Sequence, residues 1–287
     1  MIATKLNAQL RLFGFVPLAA SLLFAGMMLI SSPAKISAAD DTAAKTTAPE
    51  YFSAAGIKKL RRKAQQLAMV PERTPNGWSK SQVDPAKIVV LFKPLRINRK
   101  YQLKAYQFKE DMNGNGVVWA MPVGSTFPNP NALLQDGGTL FKSPKPGMAL
   151  DNVMEAIEGD RSLKSYLLAS MLKRELDEFG AIWHGARWSM HTVLDADPWQ
   201  GSGPTDMDDP LEFPSRPAAH WKWKTPRPTD WRPTVTMKGD VATVKFYTFS
   251  PLGKEAIYEH IDVYRPGEYR FGTETRKIAE GPRQLAF

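Results

Sequence analysis

His260 and Asp262 stand two residues apart in the run Glu255–Tyr264. Period-two alternation puts Tyr258, His260, Asp262 and Tyr264 on one face of a strand and Ile257, Glu259, Ile261 and Val263 on the other. A carboxylate beside an imidazole orients the ring and raises its basicity, which is half of an acid–base site. The isoleucine face reads as core. The histidine face reads as the wet side of an antiparallel sheet, or as a pocket wall if the sheet curves. Tyr258, His260, Asp262 and Tyr264 are therefore the catalytic candidates, for a hydrolase or an isomerase.

Aromatic side chains give a second candidate. Six of the eight tryptophans fall between positions 183 and 231: Trp183, Trp188, Trp199, Trp221, Trp223 and Trp231. Flat aromatic faces beside polar groups suit a sugar ring or another amphipathic ligand, so Trp183, Trp188, Trp221 and Trp223 are the candidate ligand contacts. The competing use of such residues is core packing, where aromatics bury the most apolar area.

A third candidate is a cation site. Asp111, Asn113 and Asn115 alternate before Gly116 in the pattern of the first half of a calcium loop. Calcium is the one cofactor the sequence suggests. Pro122 occupies the position where that loop needs a bidentate glutamate, and Asn-Gly pairs also serve plain hairpin turns. Asp195, Asp197, Asp206, Asp208, Asp209 and Glu212 form a stretch free of lysine and arginine, which would suit a hard cation or simply a solvated loop. His184 and His191 are seven apart and would face opposite ways on a regular strand. The chain has no cysteine, which excludes disulfides and thiolate chemistry. It carries no HExxH, GxSxG, phosphate-binding loop or dinucleotide fingerprint.

The elements that must position these residues follow from periodicity. Ser53–Val70 predicts a helix with Ile57, Leu60, Ala64 and Leu67 on one face and a crowd of lysines and arginines from Lys58 to Lys63 on the rest. Lys87–Phe92 predicts a strand, and Tyr101–Phe108 with Val117–Met121 a hairpin. Asp151–Glu158 predicts a short helix. Asp160–Phe179 predicts a long one, with Leu163, Tyr166, Leu167, Met171, Leu176 and Phe179 inward and the pairs Lys173/Asp177 and Arg174/Glu178 outward. Ala181–Leu194 predicts a strand, and His220–Lys224 a short one. Three antiparallel strands follow at Val241–Phe249, Glu255–Tyr264 and Tyr269–Ile278, with a type II turn at Arg265-Pro266-Gly267-Glu268. The expected fold class is α+β: a curved antiparallel sheet packed on one long helix, with a smaller N-terminal helix and β-hairpin portion. The expected divisions are 1–39, a tether at 40–50, the N-terminal portion at 51–132, an irregular connection at 133–150, and the α+β domain at 151–287.

Residues 1–39 read as a bacterial-type export signal. Lys5 and Arg11 precede an apolar run from Leu12 to Ile30, and Ser37-Ala38-Ala39 offers small residues for cleavage before Asp40. The alternative is an uncleaved N-terminal membrane anchor. The whole chain carries +9, which falls to about +6 once Lys5, Arg11 and Lys35 leave with the signal. Outside the cytoplasm a basic surface meets glycans, cell-wall polymers or an anionic membrane surface, and no nucleic acid is expected. The leading expectation is a periplasmic or extracellular binding protein for a glycan or other amphipathic ligand. The alternatives are the acid–base enzyme, and an envelope protein docking through the basic helix Ser53–Val70.

Overall fold

The computed structural model describes residues 46–285 except 70, 72–73, 135–137, 140–141, 201–213 and 216–217. The export segment, the first part of the tether, and Asp206, Asp208, Asp209 and Glu212 lie outside the described residues. Among the described residues no helix is long and apolar enough to cross a membrane.

Strand β1 (Glu50–Tyr51) leads into helix α1 (Ala54–Ala68), where Ser53 Oγ accepts from Ala55 N. Ile57 and Ala64 of its apolar stripe are buried. Arg61 is buried with them, against expectation, because Glu175 waits for it inside the fold. Strand β2 (Gly77–Lys80) is followed by helix α2 (Ala86–Leu91). A strand was expected there. Asp84 Oδ1 accepting from Ala86 N, with Pro85 preset for a helical turn, starts a helix on an apolar run too short for periodicity to decide.

Strands β3 (Arg96–Ile97), β4 (Tyr101–Glu110) and β5 (Asn113–Pro122) come next, β4 and β5 forming a hairpin that turns at Asp111-Met112. The expected short helix at Asp151–Glu158 is instead a 3-10 turn, Val153–Ala156, running into strand β6 (Ile157–Glu158), which pairs with β3. Helix α3 (Leu163–Asp177) is capped by Ser162, whose Oγ accepts from Ser165 N. Tyr166, Leu167, Met171 and Leu176 of α3 are buried, as is Phe179 beyond its end. Lys173 pairs with Asp177 as expected, but Arg174 does not pair with Glu178. Arg174 turns inward to the sheet, and the Glu178 carboxylate gathers the backbone N–H groups of Arg187, Trp188 and Ser189. With that clamp, Ala181–Leu194 folds into two short 3-10 turns, Trp183–Gly185 and Trp188–Met190, joined by irregular chain. Only β7 (Thr192–Leu194) of the expected strand remains.

The chain closes with β8 (Lys222–Trp223), β9 (Thr234–Lys238), β10 (Val241–Ser250), β11 (Lys254–Tyr264) and β12 (Phe271–Gln284). They form an antiparallel sheet in the order β1-β9-β10-β11-β12-β8, with β7 also on β10. The turn between β11 and β12 has Gly267 at φ 72 and Glu268 N bonded to Arg265 O at 3.1 Å, the geometry Pro266-Gly267 favours. The fold is α+β, with α3 laid on one face of this sheet and a second, three-stranded sheet in the order β2-β4-β5.

Candidate functional site

The face of β11 that carries His260 is the helix-facing side of the sheet, not a solvated one. The register sets Phe246 opposite His260, Val244 opposite Asp262 and Thr248 opposite Tyr258. All of these lie on the α3 side, where polar side chains of the helix receive them. Tyr264 OH donates to Tyr166 O at 2.6 Å and meets Ser170 Oγ at 2.7 Å. Burial raises the Tyr264 hydroxyl well above the usual tyrosine value. Asp262, fully buried, takes a two-pronged bond from Arg174 at 2.7 and 2.9 Å and a third from Thr273 Oγ1 at 2.7 Å. His260 and Asp262 are thus each engaged, but with other partners than one another.

His260 belongs to a different chain of bonds. Its Nδ1 meets Thr275 Oγ1 at 3.1 Å, its Nε2 meets Thr248 Oγ1 at 2.9 Å, and the same hydroxyl meets His191 Nδ1 at 2.8 Å. Thr248 has one proton to give, so at most one imidazole accepts from it and the other donates to it. Burial, with Arg61 and Arg174 nearby, pushes His191 down to about 3. Burial, then Arg174, His191 and Arg61, pushes His260 to about 2. Both rings are neutral at ordinary pH and are weak bases, which suits a structural bond chain better than proton abstraction.

Trp188 joins this interior. The guanidinium groups of Arg61 and Arg174 lie 4.2 and 5.4 Å from its ring centroid, and the ring stacks on His191. Its Nε1 donates to Glu175 Oε1 at 2.8 Å, the oxygen that also receives Arg61 Nε at 2.6 Å. Arg61 spends its other nitrogens on His191 O and Trp188 O.

Four other tryptophans, Trp199, Trp221, Trp223 and Trp231, pack on the opposite face of the sheet. Trp221 and Trp223 both sit edge-on to Trp199, at 5.1 and 5.9 Å, and with Trp231, Tyr247, Phe249 and Ile257 they make a second core. Trp221 Nε1 donates to Ser215 O at 2.9 Å. Trp221 is buried, so it offers no ring to a ligand from solution, and its role is packing.

Asp111 occupies the hairpin turn with φ 52, while Asn113 and Asn115 lie within β5 opposite Glu110 and Phe108. Asn115 Oδ1 accepts from Gly116 N at 2.9 Å. The glycines of this repeat serve packing: a Cβ on Gly116 would run into the backbone carbonyl of Phe179, and one on Gly114 would come 3.0 Å from Gly180 O. Among the described residues no group of three His, Asp or Glu side chains is arranged to hold a metal. Asp195 instead accepts from Ala54 N at 2.7 Å, and Asp197 pairs with Arg227.

Trp183 differs from the other three candidates. It is 54% exposed, and its φ of 50 is a left-handed conformation that bulky residues rarely adopt. The strain is imposed from both sides. Ile182 and Gly114 exchange backbone bonds at 3.0 and 3.3 Å, and Gly185 N donates to Ile182 O at 3.1 Å. On the other side Glu178 holds residues 187–189. The result is a cleft of about 340 Å³ with Trp183, Ala186, Met190 and Leu252 as apolar lining and His184 and Arg187 as polar lining. Leu252 arrives from the turn between β10 and β11. No periodicity announces this cleft; only the crowding of Trp, His and Gly at 183–185 marks the segment.

Fold and sites together define an α+β protein with α3 on one face of its main sheet, a tryptophan cluster on the other, and an apolar cleft edged by Trp183. The chain matches no protein-family model, no curated protein and no solved structure.

Proposed function

We propose that the protein is exported and binds an amphipathic ligand without transforming it, the ligand's apolar part lying on Trp183. The observation that carries this reading is Trp183 itself: a large ring held exposed, on strained backbone, at an apolar cleft with two polar groups. Strain of this kind persists where the surrounding structure enforces it, and it concentrates at ligand sites. The cleft volume falls in the range of small-molecule sites, and His184 and Arg187 supply the few polar contacts such sites use for orientation. The signal-like residues 1–39 support an extracytoplasmic setting, where such ligands occur. The acid–base alternative has less support, since His260 and Asp262 are spent on threonines and on Arg174.

The test is calorimetric titration with octyl glucoside below its micellar concentration, with glucose as the headgroup control. Binding of octyl glucoside, absence of glucose binding, and weakening by Trp183→Ala of about tenfold or more are expected, since losing a buried aromatic contact removes about 1.5–3 kcal/mol. Trp223→Ala, on the far face, should leave binding unchanged. Equal binding by wild type and Trp183→Ala would overturn the reading.

A further inference from the structure

A second cleft, of about 530 Å³, lies at the other end of β11, where β6 and the start of α3 meet the turn between β11 and β12. Its walls are polar. Arg96 pairs with Glu158 at 3.1 Å, and Arg270 pairs with Glu155 at 2.7 Å and Glu268 at 3.4 Å. These contacts satisfy the three acids of the lining. The third arginine of the lining, Arg161, has no carboxylate partner among the described residues.

Arg161 is nonetheless carefully placed. Its φ is 59, a left-handed backbone on a residue with a long side chain. The bend is pinned by Tyr269, whose hydroxyl accepts from Arg161 N at 2.9 Å and meets Ser165 Oγ at 2.6 Å. Gly159 must lack a side chain, because a Cβ there would strike the Tyr269 hydroxyl. The guanidinium then lies against the turn: its nitrogens and carbon are 3.6–4.0 Å from where a Cβ of Gly267 would stand. A strained backbone, a pinning tyrosine and the close-fitting Gly159 hold one uncompensated guanidinium at a cleft of ligand size.

We propose that this cleft binds a small, hydroxyl-rich molecule carrying an oxyanion, with Arg161 as the anion contact. A guanidinium presents paired N–H donors that match a carboxylate or a phosphate. The surrounding Arg–Glu pairs and Tyr101 offer donors and acceptors for hydroxyl groups. The proposal is independent of the Trp183 cleft: the two lie beyond opposite ends of the 11-residue strand β11, roughly 35 Å at 3.3 Å per residue.

The experiment is calorimetry on the full chain with galacturonate, glucose 6-phosphate and glucose at matched, moderate salt. One or both acids should bind and glucose should not. The galacturonate and phosphate arms tell a carboxylate ligand from a phosphate ester. Arg161→Gly should weaken acid binding at least about tenfold, the usual worth of a charge-assisted bond. It should leave the melting temperature equal or higher, because glycine adopts a positive φ without strain. Arg161→Gln, which keeps side-chain bulk, should lose binding too. Neither acid binding, glucose binding as well as the acids, or unchanged affinity in both variants would overturn the proposal. Octyl glucoside binding at Trp183 should be unaffected by either substitution, so the two sites fail or stand separately.

Discussion

Glu175 and Arg61 meet almost out of reach of water, at 3% and 6% side-chain exposure, and share their bonds with Trp188 and two backbone carbonyls. A buried ion pair of this kind adds little net stability over a well-packed apolar pair, yet breaking it on one side is costly. Glu175→Ala should lower unfolding free energy by about 3–5 kcal/mol, read from urea denaturation, because it strands a buried guanidinium. A loss under about 1 kcal/mol would mean Arg61 reaches water instead. The two interior histidines make a second residue-scale prediction. In the unfolded chain each protonates near its ordinary value of 6.5, whereas in the fold they stay neutral down to about 3 for His191 and about 2 for His260. Between those limits the unfolded state holds more protons. Stability is therefore full above pH 6.5 and declines as pH falls, by up to about 1.4 kcal/mol per pH unit for each histidine. A urea midpoint unchanged between about pH 7 and pH 5 would contradict this.

At the scale of elements, the regular and the long were legible. The α3 stripe, the β4–β5 hairpin and the three final strands follow directly from period 3.6 and period 2. What escaped was decided by partners distant in sequence. The α2 segment is apolar apart from Lys87 and too short to show a period, so its Asp84-Pro85 start decided the matter, not its pattern. The Ala181–Leu194 segment bends because Glu178 binds three successive N–H groups, which no local propensity encodes. One face of β11 was misjudged for a related reason, while Ile257 on the other is buried as expected. A polar face was read as wet, whereas Arg174, Ser170 and Tyr166 of α3 satisfy it indoors, and tryptophans bury the opposite face. The Asn-Gly-Asn-Gly repeat has the same lesson, its glycines admitting the chain that leaves α3. Gly116→Ala should accordingly destabilise by about 1–3 kcal/mol through overpacking against Phe179, measured by thermal or urea melts. A neutral substitution would show that β5 can slide away from that contact.

For the whole molecule, the sequence identified the α+β class and the importance of its tryptophans, but not which of them meets solvent. Trp183, Trp188, Trp221 and Trp223 were grouped as ligand contacts from their clustering and strand alternation; exposure depends on what surrounds each ring, and Arg61 and Arg174 lie over Trp188 while Trp199 packs edge-on against Trp221. The arrangement that results packs α3 on one face of the sheet and a tryptophan cluster on the other, with an open cleft beyond each end of β11, one apolar and one charged. The proposed export and the proposed ligand binding join in a single account: a cysteine-free protein with a large aliphatic-rich core and a smaller tryptophan-rich one would present Trp183 to an amphipathic molecule outside the cytoplasm. The most direct measurement is acrylamide quenching of tryptophan fluorescence in wild type and Trp183→Phe, with and without octyl glucoside. Ligand should shield a quenchable component in wild type, and Trp183→Phe should lack that component. Quenching that octyl glucoside leaves unchanged, or shielding that persists in Trp183→Phe, would contradict the account.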